Sequence, residues 1–355
     1  YRARKAVCST MTPYGTLVKR VEVKLADGTL QTVGVQSPLA MLYYQTLNSD
    51  HYGHMVRSAL AQHECSPTKP WNLILYQDGV DPSDGLAKNH SRKSCVFYWS
   101  FLEYGMAALS HEEAWGTPIM VRSTVVNALE GNVTQLADIV LRQFFDPKGH
   151  DIRRAGVALR FPDGTSTTLF AKVGIIVADE PALKEILSCN GHAGTKPCVL
   201  CMNVVSQKRA GGSPGLHVGS DYLVSIAESN SARFKMHTDD SLRLTVSKLN
   251  DWHGVLSQAA FEKKEQMYGF NYNAFSVIAN ERLRIDAVSS LMFDWAHCSV
   301  CDGVADGEFG ELMKFLHVNK ARTKYAEIGA YVSSWTFPKG VGGVTRLFEE
   351  KTAHN

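Results

Sequence analysis

Apolar and polar residues follow two periodicities along this chain, and each predicts a different kind of element. Residues 71–79 are apolar at both parities, which is typical of a strand buried on both faces of a sheet. Residues 133–144 carry apolar residues at helical spacing. Two runs on either side of Asp27-Gly28 predict a hairpin, because Asp-Gly favours tight turns. The other apolar runs predict strands at 94–104, 118–125, 157–161, 167–170, 173–179 and 286–294, and helices at 39–47, 54–62, 181–187 and 309–316.

This order of elements predicts an α/β fold. A group of antiparallel strands lies within residues 71–125, and a later strand returns beside it. The chain is expected to divide into four segments. These are an N-terminal segment with strands and helices (1–70), the first part of a core sheet (71–190), a cysteine knuckle with a mostly helical insertion (191–285), and a return strand followed by the start of a further helical region (286–355).

Composition narrows the class of protein. The 355 residues are 45% hydrophobic and 20% charged, which excludes a disordered, collagen-like or coiled-coil chain. Lys and Arg total 37 against 35 Asp and Glu, so the net charge gives no evidence for binding of nucleic acid. No apolar run approaches a membrane span and no signal-peptide pattern opens the chain, so no membrane partner is expected. A first residue that is Tyr1 rather than Met predicts a processed chain or a fragment.

Two of the apolar runs end on an aspartate, Asp78 and Asp179. Neighbouring strands present such terminal carboxylates at one edge of a sheet, where divalent cations can bridge them for attack on a phosphodiester. Each residue also has a plainer interpretation. Asp78-Gly79 can be a simple turn, and Asp179 before Glu180-Pro181 can cap a helix. The functional interpretation therefore depends on the pair. The motifs of P-loop nucleoside triphosphatases, zinc proteases and serine hydrolases are not found.

Four of the eight cysteines form two CxxC pairs, which in a chain without a secretion signal indicates a reducing compartment. Cys198 and Cys201 follow a stretch with two glycines and a proline, so a tight knuckle can aim both sulfurs at one tetrahedral ion. Zn²⁺ is the predicted ligand. A redox dithiol and two buried thiols are the alternatives.

The remaining zinc ligands must come from another segment, and residues 294–301 hold a dense cluster of suitable groups. His297 is the predicted third ligand, and Asp294, Cys298 or Cys301 is the fourth. Asp294 and His297 are three residues apart, so on a helical turn they share a face. The alternative is that these are ordinary packed side chains. His217, His237 and His253 have no cysteine or carboxylate nearby in the sequence and are interpreted as ordinary.

Three basic residues follow Asp78 closely: Lys88, Arg92 and Lys93. They are candidates for contact with a phosphate backbone. A solvated basic turn is the alternative interpretation.

The order of these motifs resembles a known family. A strand carrying Asp78-Gly79 is followed by two strands and a helix, and a second strand ends in Asp179 with Glu180-Pro181 behind it. Gly-x-x-Gly-x-x-x-Cys198-x-x-Cys201 comes next, and Asp294-Trp-Ala-His297 later. Together they resemble the ribonuclease H-like core of eukaryotic cut-and-paste transposases of the Plavaka, Kyakuja–Dileera–Zisupton and CACTA-like groups. The resemblance covers roughly residues 70–340, including Trp-Thr-Phe-Pro-Lys at 335–339.

The resemblance implies a ribonuclease H-like mixed sheet flanked by helices, with Asp78 and Asp179 as the first two catalytic acids of a DDE-type transposase. The third acid of these families is a Glu that we do not identify here, and Glu308 is a candidate although it follows the DxxH closely. The Cys198–Cys201 pair and the Asp294–His297 pair correspond to the CxxC and DxxH of the family. DNA as substrate, Mg²⁺ or Mn²⁺ as cofactor, a homo-oligomer and a nuclear location are further implications.

A second hypothesis comes from a different class of protein. The chain could be a catalytically inactive, transposon-derived module that binds DNA or another protein. The near-neutral charge and the unidentified third acid favour this alternative, whereas the pair of strand-end aspartates favours the enzyme.

Overall fold

The computed structural model describes residues 6–81, 93–146, 148–191, 194–206 and 223–299, together with the single positions 304, 305, 307, 308, 310, 330 and 334. Packing divides the chain into two compact units, Tyr1–Phe293 and Asp294–Asn355. The division falls inside the last of the four predicted segments, and that four-part organisation remains a prediction.

The strands of the first unit form one large sheet and several two-stranded ladders. In the described part of the chain, the strands are β1 (Met11–Thr12), β2 (Gly15–Thr16), β3 (Val18–Lys24), β4 (Leu30–Gln36), β5 (Trp71–Val80), β6 (Ser94–Phe101), β7 (Gly116–Arg122), β8 (Val157–Arg160), β9 (Ser166–Leu169), β10 (Ala171–Ala178), β11 (Val204–Val205), β12 (Val224–Ser225) and β13 (Leu291–Phe293). The large sheet has the order β13-β10-β5-β6-β7. Its first three members are mutually parallel, and β6 and β7 run antiparallel to their neighbours.

Helices flank this sheet. The α-helices of the described residues are α1 (Pro38–Asn48), α2 (Asp50–Gln62), α3 (Gly105–Leu109), α4 (Ser123–Val126), α5 (Asn132–Phe144), α6 (Glu180–Ile186), α7 (Asp239–Trp252), α8 (Gln258–Tyr268), α9 (Ala287–Ser290) and α10 (Trp295–Ser299). Helix α5 packs on β7, and α6 packs on β10. Local chemistry sets several boundaries. Thr238 and Ser241 form a capping box at the start of α7, and Gly269 ends α8 in the left-handed conformation at φ 83°.

Most of the hydrophobic core lies on one face of the sheet, although Ile74 and Val96 are buried on the other. Leu75, Phe97, Trp99 and Ile176 are each at most 2% exposed. Trp99 meets the ring of Phe144 from α5 edge to face, with 5.4 Å between the ring centroids. Side chains alternate between the two faces along β5 and β6. One set therefore packs under the helices, and the other set, which includes Tyr76 and Tyr98, lies on the opposite face.

A bulge at Gly174 interrupts the pairing of β10 with β5. Val173 pairs with Leu73, but Ile175 pairs with Ile74, so β10 carries one extra residue at this point. The backbones approach so closely here that a Cβ at Gly174 would lie 2.9 Å from the Cα of Asn72. Glycine is therefore required sterically at the bulge, and every residue of β10 beyond it is shifted by one position against β5.

Most sequence-based element predictions are confirmed by the structure, including the β3–β4 hairpin, the doubly buried β5 between two neighbours, and the antiparallel group with a returning strand. Four predictions are wrong in detail. Strand β7 ends at Arg122 rather than Val125, because Ser123–Val126 form helix α4. Strand β5 does not end at Asp78 but continues to Val80, because Asp78 and Gly79 keep pairing with β6. Strand β6 stops at Phe101, where a 3₁₀ turn begins. Residues 286–294 start as helix α9 before the short strand β13. The predicted helix at 309–316 lies outside the described residues except for position 310.

Candidate functional site

Asp78 and Asp179 lie at the same edge of the large sheet. Strands β5 and β10 are parallel neighbours, as the two-aspartate hypothesis requires, and Val177 is the partner of Tyr76. If that register is continued by two residues, Asp179 lies level with Asp78. Because side chains alternate along a strand, both aspartates then project from the same face as Tyr76 and Val177. The two predicted catalytic residues are thus adjacent positions on the carboxyl ends of parallel strands.

The Asp78 carboxylate is half-buried and oriented by its neighbours. Oδ2 accepts a hydrogen bond of 3.1 Å from the hydroxyl of Tyr76, and Oδ1 accepts one of 2.6 Å from the backbone N–H of Gly79. Each oxygen retains a further lone pair. The carboxylate is therefore held in place and is still able to bind a cation.

Asp179 is the N-cap of helix α6, which confirms the plainer of its two interpretations. Its Oδ1 accepts a 2.7 Å hydrogen bond from the N–H of Ala182, and its backbone is extended, as an N-cap requires. This role uses one oxygen only. A cap and a metal ligand are compatible, because Oδ2 makes no hydrogen bond among the described residues.

Glu185 is a carboxylate at this edge that the sequence patterns did not single out. Partial desolvation raises its pKa, and the negative charge of Asp179 raises it further, while Lys93 opposes the shift. The shift is therefore due first to burial, and the contribution of Asp179 shows that the two carboxylates are close enough to interact. Glu185 is six residues beyond Asp179 on α6, a spacing that belongs to no motif. In the sequence, Glu185 is distinguished only by its position on the predicted helix that begins just after Asp179.

Lys93 belongs to the same edge. Its aliphatic stem passes over Gly79, where a Cβ would lie 2.7 Å from Lys93 Cε. The side chain is exposed, and its charge partly opposes the burial that raises the pKa of both Cys95 and Glu185. Of the three predicted phosphate-contacting residues, Lys93 is therefore beside the acids. Lys88 and Arg92 lie outside the described residues.

Cys198 and Cys201 form a close pair. Burial raises the pKa of Cys201 to about 12, and a hydrogen bond and charge interaction with Cys198 add to the shift. The knuckle is held by antiparallel pairing, since the N–H of His237 donates to Leu200 O at 2.8 Å. The predicted half-shell of two adjacent thiols is thus present in the first unit.

Asp294 and His297 form the other predicted half in the second unit. The Nδ1 of His297 lies 2.8 Å from Asp294 Oδ2. The pKa of Asp294 is lowered, because partial burial is outweighed by hydrogen bonds from His297 and from the Ala296 N–H. Cys298 is an exposed free thiol, and Cys301 lies outside the described residues. Glu308 is exposed.

The carboxylates, thiols and histidine described above do not form a complete metal site among the described residues. No group of three or more His, Cys, Asp and Glu side chains within the described ranges is arranged to hold a metal ion. What is present is a set of pairs: Asp78 near the end of β5 with Asp179 directly after β10, two thiols, and an Asp–His pair.

His237 is a second residue whose context the sequence did not reveal. It is 8% exposed, and its Nδ1 lies 3.0 Å from Ser241 Oγ at the start of α7. Burial lowers its pKa to about 4, and the nearby positive charge of Lys196 acts in the same direction. A histidine held neutral in this way at physiological pH was not predicted, because the pairing of residues 200–202 with 235–237 is a long-range contact.

We expect the protein to lose stability between pH 6.5 and pH 4 through His237. The unfolded chain takes up a proton near pH 6.5 and the folded chain only near pH 4, so the free energy of unfolding falls as pH decreases through this window. The loss is at most about 3 kcal/mol and is absent above the window. Urea unfolding of the wild type and His237→Gln across this range measures it. The exposed His63→Gln is the control, and an unchanged pH profile in His237→Gln would contradict the assignment.

Comparisons with known proteins found no match, neither to a model of a protein family nor to a curated protein. In the part of the chain that the structure describes, no helix combines the length and hydrophobicity needed to cross a lipid bilayer.

Proposed function

We propose that this protein is a DDE-type transposase, or part of one, with a ribonuclease H-like core that cuts DNA strands with the help of divalent cations. The observation that carries the proposal is the register of β5 and β10, which makes Asp78 and Asp179 adjacent at the carboxyl edge of a mixed sheet. The order of motifs along the chain supports the same proposal. A nuclear location and a homo-oligomer that joins two DNA ends follow from the same family resemblance.

The residues at this edge fit Mg²⁺ or Mn²⁺. Both ions prefer carboxylate oxygens, and the carboxylates of Asp78 and Asp179 supply them from neighbouring strands. When bound, such an ion activates a water or a 3′-hydroxyl and stabilises the leaving oxygen. The pKa of Glu185 is raised first by burial and then by the charge of Asp179, and a cation at this edge would offset the second contribution.

The protein's own groups prepare this edge. The Tyr76 hydroxyl and the Gly79 N–H fix the rotation of the Asp78 carboxylate, and the Ala182 N–H fixes Asp179. The Lys93 ammonium adds a positive charge beside the acids that attracts a phosphodiester. A third strong metal-binding carboxylate is not assembled among the described residues. We therefore expect residues 1–355 to bind cations weakly and to cleave slowly.

The test is nicking of supercoiled plasmid DNA in Mn²⁺. We expect slow nicking by the wild type, and reduction to the rate without protein in Asp78→Asn and Asp179→Asn. Asparagine is chosen because it still caps a helix, so Asp179→Asn should leave stability nearly unchanged. Asp251→Asn, an exposed position on α7, is the matched control and should nick at the wild-type rate.

Other outcomes of the test are equally informative. Nicking that survives in both variants would overturn the assignment of the acids. DNA binding without any metal-dependent nicking would favour the non-catalytic, transposon-derived module instead. Fast nicking that needs Asp78 would show that this chain contains a third acid, and Glu185→Gln and Glu308→Gln would then identify it.

We also propose a structural Zn²⁺ bound by Cys198 and Cys201. Two adjacent thiols are half of a tetrahedral shell, and burial, with a smaller contribution from Cys198, raises the pKa of Cys201, so its thiolate is costly to form without a cation. His297, with Asp294, Cys298 or Cys301, remains the proposed second half.

A further inference from the structure

Two tyrosines lie on the face of the large sheet opposite Leu75 and Phe97, and Trp115, which precedes β7 and also packs against the core, contacts one of them. Tyr76 and Tyr98 are cross-strand partners on β5 and β6, and their rings stack at 5.7 Å with 23° between the planes. The Trp115 ring meets Tyr76 edge to face at 6.5 Å. All three are partly exposed. We call these three residues the aromatic cluster.

The polar ends of the cluster are fixed by the protein. The Tyr76 hydroxyl donates to Asp78, and Trp115 Nε1 donates to the carbonyl of Leu109 at 2.9 Å. The rings are thereby held rigidly with flat apolar surface facing partly outward. The core on the other face is filled by buried side chains such as Phe97 and Trp99, and the two tyrosine rings lie outside it.

The aromatic cluster adjoins the acidic edge. Tyr76 is two residues before Asp78 on the same face, a distance of about 7 Å along the strand. The charge of Asp78 also contributes to the raised pKa of Tyr98, after partial burial. The cluster and the acids are therefore within the span of one nucleotide.

Two cations occupy the same end of the sheet, Arg122 in register with the tyrosine face and Lys93 passing over Gly79 on the other face. Arg122 ends β7 opposite Ser94, and Lys93 directly precedes Ser94. The Lys93 carbonyl accepts a 2.9 Å hydrogen bond from the Ser123 N–H, which ties the two chain segments together. Both basic side chains are exposed. Flat aromatic faces combined with adjacent cations are the chemistry that proteins use to bind single-stranded nucleic acid.

We propose that the aromatic cluster stacks the base of an unpaired nucleotide while Lys93 and Arg122 contact the flanking phosphates. This inference rests on the proposed function and specifies the form of its substrate. The DNA at the acidic edge is single-stranded at the point of cleavage, and the stacked base positions the adjoining phosphodiester. A purely paired duplex would keep its bases away from the rings.

Binding without metal tests the inference separately from catalysis. The full chain is titrated, in EDTA, against a fluorescent single-stranded oligonucleotide and against the same sequence as a duplex, and anisotropy is recorded. Tyr98→Ala should weaken single-strand binding by about 5- to 100-fold, the range expected for one lost stacked base. Tyr98→Phe, which keeps the ring, should stay within about twofold of the wild type, and duplex binding should change little in either variant.

An abasic nucleotide scanned along the single strand gives the sharper comparison. At one position it should weaken binding to the wild type but not to Tyr98→Ala, because both changes remove the same contact. Lys93→Ala should lower the slope of log affinity against log salt by about one. If Tyr98→Ala does not fold, Tyr98→Leu, which keeps apolar volume, replaces it.

Two outcomes overturn the inference. One is an equal loss on single strand and duplex in a folded Tyr98→Ala variant, and the other is an abasic effect that persists in that variant. The proposed function fails independently, if Mn²⁺-dependent nicking is absent or indifferent to Asp78→Asn while single-strand binding still depends on Tyr98.

Discussion

Insertion of one residue between Gly174 and Ile175 should both destabilise the protein and abolish its binding of divalent cations. Gly174 is the one extra residue of β10, and with this single extra residue the register places Asp179 level with Asp78. A second extra residue would shift β10 beyond Gly174 by one position against β5, and Asp179 would project from the opposite face of the sheet. Ile176, which is fully buried, would leave the core at the same time.

Gly174→Ala separates the steric role of this residue from its role in register. The substitution keeps the residue count but places a methyl group against the backbone of Asn72, so we expect a loss of about 1–3 kcal/mol in the free energy of unfolding. Mn²⁺ binding should persist. Gly34→Ala in β4 is the control, because its Cβ would have ordinary van der Waals contact at 3.8 Å.

Urea unfolding and Mn²⁺ titration measure these effects. The insertion should cost more stability than Gly174→Ala and should remove the Mn²⁺ signal, as we expect of Asp78→Asn. An insertion variant that keeps wild-type Mn²⁺ affinity would show that the bulge does not set the position of Asp179.

The second large effect is expected at the cysteine knuckle. Purified protein should contain one Zn²⁺ per chain, and Cys198→Ser should remove it and lower the melting temperature by several degrees. The reason is that the thiol pair lies in a segment joined to residues 235–237 by the pairing of Leu200 with His237, so the ion would stabilise more than the knuckle itself. A chelator should have the same effect on the wild type, and no further effect on Cys198→Ser.

Ligand identity is tested with Co²⁺ in place of Zn²⁺, whose absorption reports thiolate and nitrogen ligands. His297→Ala should lose the tetrahedral spectrum, whereas Cys8→Ser, near the N-terminus, should keep it. Loss of the spectrum in His237→Ala with retention in His297→Ala would show that the third ligand is the histidine paired to the knuckle.

Local patterns in the sequence predicted most helices and strands of this fold but not the register in which the strands pair. The Asp27-Gly28 turn determined the β3–β4 hairpin, since Thr29 donates to Asp27 Oδ1 and Gly28 takes a positive φ of 83°. Apolar residues at both parities correctly indicated that β5 is central. By contrast, Gly174 within a strand-like run did not reveal a bulge, because its cause is the backbone of Asn72 about a hundred residues earlier.

The candidate site shows the same limit. Asp78 and Asp179 were recognisable because each follows an apolar run, a property of the local sequence. Glu185 and His237 were not, because their unusual pKa values arise from contacts across the fold, with Asp179 and Lys93 in one case and Lys196 in the other. Residues whose chemistry depends on long-range neighbours leave no periodic signal.

The parallel pairing of β5 with β10 also constrains how the protein is made. Strand β6 pairs with one side of β5 soon after synthesis, but the other side must wait for β10, which begins 70 residues after β6 ends. At 5–20 residues per second, this gap lasts roughly 4–14 s on the ribosome. During that time the nascent chain presents an unpaired, strongly apolar strand edge, which is a template for aggregation. Production should therefore depend on chaperones that bind nascent chains, and slower translation should lower the yield of folded protein.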